Sequence, residues 1–312
     1  MLLQVLLLVI SIIALYYGAE FALESAEKIG RFFGLSPLVI GLLIVGFGTS
    51  LPEFFVSQLA SARGQSPMAL GNIVGSNVAN LFLILGVSGV MTRLYITSDA
   101  IKSQLLVHIV LTLILTITLF QTGLLWWTAL MLFAFFVFYL WNTFREMKRD
   151  RHLREDEESE KEAIELITIG LLVVGFALLY GGGELLVYSG TNLGELMGVS
   201  PYVISAVFVA FGTSFPELVT AILACVKKKN TDLITGNIIG SNIFNVSFVM
   251  MSLFPYSIKF DSTYKVELIL LIFASLFLAG LSFMKRNFGK IPGVLFLSGY
   301  IGAVYYWIAK AP

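Results

Sequence analysis

Two short stretches place oxygen chemistry inside apolar sequence: GTSLPE, Gly48–Glu53, and GTSFPE, Gly212–Glu217. Pro52 has no N–H, so the carbonyl of Gly48 loses its helical partner, and Pro216 does the same to Gly212. With Gly46 and Gly48 loosening the turn, the expectation is a kinked helix with freed carbonyls. Irregular backbone at membrane depth is tolerated only where it is buried in protein or lines a cavity. Thr49, Ser50 and Glu53 add hydroxyl and carboxylate oxygens within a turn of the kink. Thr213, Ser214 and Glu217 repeat the set. Thr49 and Glu53 are four apart and share a helix face. A carboxylate at mid-membrane costs several kcal/mol. Two that converge repel, and either a proton or a bound cation relieves them.

A second block supplies more oxygen. GNIVGSNVAN, Gly71–Asn80, places Ser76 and Asn80 four apart, and GNIIGSNIFN, Gly236–Asn245, does so for Ser241 and Asn245. The glycines Gly71, Gly75, Gly236 and Gly240 permit close helix packing. Pooled, the two blocks give two carboxylates, hydroxyls, amides and freed carbonyls, with no histidine or thiol. Hard cations want such a set: Ca²⁺ takes about 6–8 oxygens in flexible geometry, whereas Mg²⁺ dehydrates reluctantly. Na⁺ suits it as well. Zn²⁺ and Cu⁺ would ask for softer ligands.

The elements that hold these blocks are membrane helices. The 312 residues are 57% hydrophobic and 13% charged, against about 25% charge in soluble domains. Hydropathy predicts ten spans, near 2–27, 36–62, 68–91, 101–121, 123–146, 163–190, 200–226, 231–255, 263–284 and 291–309. The apolar start lacks a basic flank and reads as a retained first span. With both termini outside, only Arg63, Lys259, Lys265 and Lys310 fall outside, and every other Lys and Arg falls inside. One long polar stretch, Arg145–Glu162, reads as a solvated linker.

The chain also repeats itself. Tyr16, Gly18 and Glu20 match Tyr180, Gly182 and Glu184; Ser36-Pro37 matches Ser200-Pro201; both polar blocks match as well. Each half holds five spans. Five is odd, so the second half enters from the opposite side. The predicted fold is an all-α polytopic membrane protein with ten transmembrane helices in two inverted-topology five-helix repeats. The halves are 1–146 and 163–312, joined by the charged cytoplasmic linker 147–162. That layout is a hallmark of secondary transporters, with the site where the repeats meet.

At these residues the chain resembles the cation/calcium antiporter superfamily, in its sodium/calcium exchanger branch of prokaryotic type, without a regulatory domain. The resemblance covers all ten spans, and its specific part is the pair GTSLPE…GNIVGSNVAN and GTSFPE…GNIIGSNIFN. It implies a secondary antiporter exchanging Na⁺ for Ca²⁺ by alternating access, at the cell inner membrane. Glu53 and Glu217 would be the central carboxylates shared by both ions. Thr49, Ser50, Thr213, Ser214, Ser76 and Ser241 would line flanking Na⁺ sites, with backbone carbonyls from Gly46 and Ala210. Gly46 is a mild departure, since the family often has Ala there. Asn80 and Asn245 would complete the centre. Some members carry Asp at the position of Asn245, which bears on cation preference. Potassium-dependent relatives typically have that Asp, so exchange here is expected to be K⁺-independent. Extra Na⁺ sites beyond two carboxylates make it electrogenic.

The alternatives are a Ca²⁺/H⁺ exchanger, since paired glutamates can carry protons, and a cation channel with a glutamate filter. Proton-coupled members usually carry GN-x-x-E where this chain has GTS-x-PE. An intramembrane enzyme would need a nucleophile–base pair, and no histidine accompanies these hydroxyls. No cofactor is expected, and the transported ions and the lipid bilayer are the expected partners. Zero net charge gives no global field for nucleic acid, and no obligate protein partner is implied. Glu20 and Glu184 read as structural or interfacial. His108 reads as a packing histidine and His152 as solvated. Trp126 and Trp127 fit an interfacial belt, and Cys225 is a small apolar residue.

Overall fold

The computed structural model describes residues 1–154, 164–198, 212–256, 258 and 264–310. Those residues form helices α1 (Leu2–Phe32), α2 (Pro37–Ala62), α3 (Ser66–Met91), α4 (Asp99–Leu119) and α5 (Trp126–Arg154). The second half follows with α6 (Leu166–Leu196), α7 (Phe215–Val226), α8 (Thr231–Ser252), α9 (Lys265–Phe283) and α10 (Lys290–Lys310). Among the described residues, every helix except α7 is long and apolar enough to cross a membrane. The first part of the expected span 200–226, with Ser200, Pro201 and Ala210, lies outside the described residues. The only β-pairing among them is an isolated bridge between Leu94 and Phe288.

Several helices overrun the apolar sequence. α1 and α6 each hold 31 residues, about 46 Å of helix against a hydrocarbon core of about 30 Å. Hydropathy stops where the lipid stops, but helix propensity does not. The backbone of α5 likewise continues to Arg154 through sequence expected to be linker after 146. Lys, Arg and Glu favour helix once it has left the membrane. Residues 155–163, the rest of the linker, lie outside the described residues.

Helix ends follow local chemistry. Ser36 and Ser98 cap α2 and α4, accepting from the backbone N–H of Val39 (3.4 Å) and Ile101 (3.3 Å). α2 and α7 both end in a left-handed residue, Gly64 (φ 71°) and Lys228 (φ 51°). In each case the next N–H reaches back over the last turn, Gln65 to Ala60 and Lys229 to Ala224. α3 then starts at Ser66 and α8 at Thr231, so the extra residue of the second half falls in this turn.

The two halves interlock by pairs that exchange under the repeat. The N–H and C=O of Leu94 pair with Phe288 at 2.8 and 3.0 Å, and Leu124 N–H donates to Ile258 C=O at 3.1 Å. Leu94 and Ile258 follow α3 and α8, and Leu124 and Phe288 precede α5 and α10. The same pairing is therefore made from each side, with two hydrogen bonds at Leu94–Phe288 and one at Leu124–Ile258, as an inverted two-fold leads one to expect.

Burial sorts the helices into an inner and an outer set. In α8 94% of the membrane-length window is buried, against 22% in α1. α2, α3, α7 and α8, which carry both polar blocks, form the inner set. α8 lies against α2 backbone to backbone: a Cβ on Gly236 would meet Leu38 C=O at 2.4 Å, and one on Gly240 would meet Leu42 C=O at 2.4 Å. Gly71 and Gly75 have no such close neighbour among the described residues.

α1 and α6 cover the outside, antiparallel and in close contact. Gly182 faces Ser11 and Leu15, and Gly175 faces Gly18 and Ala22. In the C-terminal half of α1, Lys227 pairs with Glu20 and with Glu24 (3.0 Å), and Lys229 pairs with Glu27 (2.6 Å). The hydrogen bond to Glu20 raises the Lys227 ammonium above its ordinary pKa. Glu20 is thus structural, as expected. Its repeat-mate Glu184 is exposed, and neither it nor Arg63, the mate of Lys227, is in an ion pair among the described residues.

A Cβ on Gly18 would lie 2.8 Å from the Leu179 nitrogen and 2.9 Å from the Gly175 oxygen, which are backbone and cannot rotate away. Gly18→Leu should therefore cost about 1–3 kcal/mol of stability, read as a lower midpoint of thermal unfolding in detergent. Gly170→Leu, on α6 with nothing within 4 Å, should leave the midpoint unchanged.

Candidate functional site

Both GTS-x-PE stretches break their helices at the serine. Ser50 has φ −88° and ψ 6°, and Ser214 has φ −89° and ψ 4°. The helix restarts at once, with Pro52 and Pro216 in its first turn, where a missing N–H removes no helical bond. Glu53 and Glu217 therefore stand in the first turn of a new helix. The positive end of the helix dipole favours a negative charge there. The kink expected from the prolines is present, and it does electrostatic work by placing two helix N-termini beside two buried carboxylates.

The polar side chains meet across the repeat in matched pairs. The Thr49 hydroxyl donates to Val45 C=O (3.0 Å) and lies 3.3 Å from Asn237 Oδ1 and 3.5 Å from Ser241 Oγ. On the other side, Thr213 Oγ1 donates to Asn72 Oδ1 (2.9 Å) and lies 3.3 Å from Ser76 Oγ. Ser241 Oγ also donates to Gly46 C=O at 3.1 Å. At the centre the symmetry lapses. Ser50 Oγ donates to Glu217 Oε1 at 3.1 Å, while Ser214 Oγ has no partner.

Asn80 and Asn245 sit one residue into short π-helical turns, Ala79–Ile84 and Phe244–Val249. Such turns insert one residue into a helix and are frequent at functional sites. Asn80 Nδ2 donates to Asn242 Oδ1 at 2.9 Å, leaving Asn80 Oδ1 free.

Thr49, Ser50, Glu53, Ser76, Asn80, Ser214, Glu217, Ser241 and Asn245 are all buried, and Gly46 with them; Thr213 is half-buried. Ala210 lies outside the described residues. Buried polar atoms are nearly always hydrogen-bonded, yet here a cluster of them is not. Among the described residues, both Glu53 oxygens, Glu217 Oε2, Asn80 Oδ1, the Asn245 amide and Ser214 Oγ have no hydrogen-bond partner. The Ser76 and Thr213 hydroxyls lie beside the Glu53 carboxylate without a well-formed bond to either oxygen. Apart from one amide nitrogen and one hydroxyl, all of these are acceptors. An excess of buried acceptors, two of them carboxylates, is satisfied by something that brings positive charge. Among the described residues no three His, Cys, Asp or Glu side chains converge, so the donor set is that of a hard cation.

A family model described as sodium/calcium exchanger protein matches residues 3–145 and 167–309, both five-helix halves. The chain belongs to the sodium/calcium exchanger family. An uncharacterised membrane protein of Methanocaldococcus jannaschii is 30% identical over 297 residues, 95% of each chain. The sodium/calcium exchanger MaX1 of Methanosarcina acetivorans is 28% identical, over 86% of this chain and 91% of its own. Among solved structures, the sodium-calcium exchanger NCX_Mj superposes with a TM-score of 0.83 at 28% identity, over 100% of this chain and 99% of that one. This exchanger-family chain is a membrane cation/Ca²⁺ antiporter, not an enzyme.

A layer behind the predicted residues escaped the sequence reading. Asn72 Nδ2 donates to Glu53 C=O (3.1 Å) and Ser57 Oγ (2.9 Å) while its Oδ1 receives Thr213. Asn237 likewise joins Thr220 (3.2 Å) to Thr49. The signal was present: both asparagines follow the glycine that opens each block. Neutral amides drew less attention than the carboxylates. Asn72→Leu, of similar size, would leave three polar groups short of a partner. It should lower stability by about 1–3 kcal/mol, measured by denaturant or thermal unfolding of the purified protein.

Proposed function

We propose that the exchanger couples Na⁺ entry to Ca²⁺ movement electrogenically and without K⁺, with Glu53 and Glu217 as the carboxylates shared by both ions. The observation that carries this is the set of buried, unpartnered acceptors on Glu53, Glu217, Asn80 and Asn245. Ca²⁺ binds there through carboxylate and amide oxygens. Na⁺ ions use the same carboxylates and, in flanking positions, the oxygens of Thr49, Ser50, Ser76, Thr213, Ser214 and Ser241 with the carbonyls of Gly46 and Ala210. Two carboxylates balance one Ca²⁺ or two Na⁺. Flanking sites admit further Na⁺, so a cycle moves net charge. Asn80 and Asn245 contribute oxygen without charge, which leaves nothing to balance an additional K⁺.

The halves 1–146 and 163–312 are the units that rearrange, joined by the linker 147–162. The positive-inside rule supports a cell inner membrane location with both termini outside.

The test is ⁴⁵Ca²⁺ uptake by proteoliposomes under separately imposed Na⁺, H⁺ and K⁺ gradients. An outward Na⁺ gradient should drive uptake. A valinomycin-set potential should change its rate, with that potential held constant in the arm where choline replaces K⁺. Uptake driven by H⁺ and indifferent to Na⁺ would replace this reading with Ca²⁺/H⁺ exchange. A flat response to potential would refute electrogenicity, and a strict need for K⁺ would show that Asn245 was misread.

The carboxylates are tested separately. Glu53→Gln is nearly isosteric and should preserve the folded, monodisperse protein. It halves the counter-charge for a divalent ion, which is worth more than about 3 kcal/mol in a dry site, so Na⁺-driven Ca²⁺ flux should fall at least about 100-fold. Glu217→Gln should do the same. Near-normal Ca²⁺ flux in either variant would remove that residue from the site.

A further inference from the structure

A chain of hydrogen bonds leads from Asn80 out of the inner helices to α4 and α9. Asn80 Nδ2 donates to Asn242 Oδ1 at 2.9 Å, and Asn242 Nδ2 lies 3.1 Å from His108 Nε2. His108 Nδ1 lies 3.0 Å from Ser275 Oγ, and Ser275 Oγ lies 2.7 Å from Leu271 C=O. All four side chains are buried.

The direction of every bond follows from its outer end. A backbone carbonyl only accepts, so Ser275 spends its single proton on Leu271. It must then accept from His108 Nδ1–H. The Thr112 hydroxyl, beside the same nitrogen at 3.5 Å, is committed in the same way to His108 C=O at 2.9 Å. With Nδ1 protonated, the neutral ring offers a lone pair at Nε2. Asn242 must meet it with its NH₂ group, whose second proton faces Asn77 C=O at 3.4 Å. Asn242 Oδ1 therefore faces Asn80 and takes its NH₂. What remains on Asn80 is Oδ1, which has no donor among the described residues. Reversing any link would turn the Asn80 oxygen into this bond and leave an N–H₂ group in its place.

The repeat-mate lacks this arrangement. Asn245 has neither amide atom bonded, and the residues one repeat on from His108, Ile272 and Phe273, are apolar.

We propose that His108 is a positioning residue for the cation site, fixing through Asn242 which atom of the Asn80 amide is left for the ion. This rests on the reading that Asn80 faces the transported ion, and it goes beyond the expectation that His108 is a packing histidine. The ring is separated from the ion by two amides, those of Asn242 and Asn80, so its effect must pass through Asn80.

The test compares three substitutions in full-length protein reconstituted in proteoliposomes, with Na⁺-driven ⁴⁵Ca²⁺ uptake measured against Ca²⁺ concentration. His108→Gln can place an amide oxygen where Nε2 stood and should keep the KM for Ca²⁺ within about twofold of the parent. His108→Phe keeps ring volume without the acceptor, and His108→Asn reaches only the Nδ1 position. Both should raise the KM about tenfold or more, the scale of one hydrogen bond to a charged partner. Asn80→Ala should raise it by a similar factor, and adding His108→Phe to it should change it by less than about twofold, because both act on one contact. If His108→Phe fails to fold, His108→Asn carries the comparison.

Unchanged KM in His108→Asn and His108→Phe beside a raised KM in Asn80→Ala would overturn the proposal and leave the site reading intact. So would full additivity with Asn80→Ala, or failure of His108→Gln to rescue. An Asn80→Ala variant with parental KM would instead remove Asn80 from the site, and the proposal with it.

Discussion

Two carboxylates buried together in a membrane protein are the constraint on which the rest of this structure depends. Neither lipid nor a dry protein interior tolerates an isolated charge, and two of the same sign aggravate one another. Every nearby feature lessens that difficulty. The helices break one turn before each glutamate, so that each carboxylate begins a helix and feels its positive end. Hydroxyls from both halves crowd the same space. Amides from α3 and α8 brace those hydroxyls from behind. The acceptors still outnumber the donors among the described residues, and in the proposed site transported cations make up the difference. Binding is thus the completion of an unfinished electrostatic arrangement.

That arrangement dictates which helices lie inside. α8 is almost wholly enclosed and α3 nearly so, because they carry the amide layer that must not meet lipid. α1 and α6 carry no site residue and can face lipid over most of their length. Their contact with each other brings backbone close to backbone at Gly18, Ala22 and Gly175, with the Leu15 side chain seated against Gly182. The polar interior and the plain exterior are therefore two consequences of one demand.

Much of this was legible in the sequence, and the reasons differ by residue. The spans were readable because the bilayer imposes a length on apolar runs. The inverted repeat was readable because Glu53 and Glu217 recur with their neighbours at a constant offset in halves of odd span number. The breaks at Ser50 and Ser214 were readable from a proline that cannot donate. The ends of α1, α5 and α6 were not, since hydropathy reports lipid contact and not helix. The π turns at Ala79 and Phe244 leave no mark in hydropathy or charge. Asn72, Asn237 and Asn242 resemble packing residues until their partners are seen. His108 is 36 residues from the nearest of them in sequence, and only the packing of α4 against α8 and α9 joins it to the site.

The ion pairs in the C-terminal half of α1 carry a geometric consequence. Exchanging the backbone conformations of the two halves yields a second molecule of the same fold, viewed from the other side of the bilayer. In that molecule Arg63 stands to Glu184 as Lys227 stands to Glu20 here, on the opposite surface. Only the Glu20–Lys227 pair has such a counterpart, since Tyr188, Thr191 and Gln65 stand at the positions that match Glu24, Glu27 and Lys229. The separation between positions 20 and 227, compared with that between 63 and 184, is a ruler for the direction in which the molecule faces.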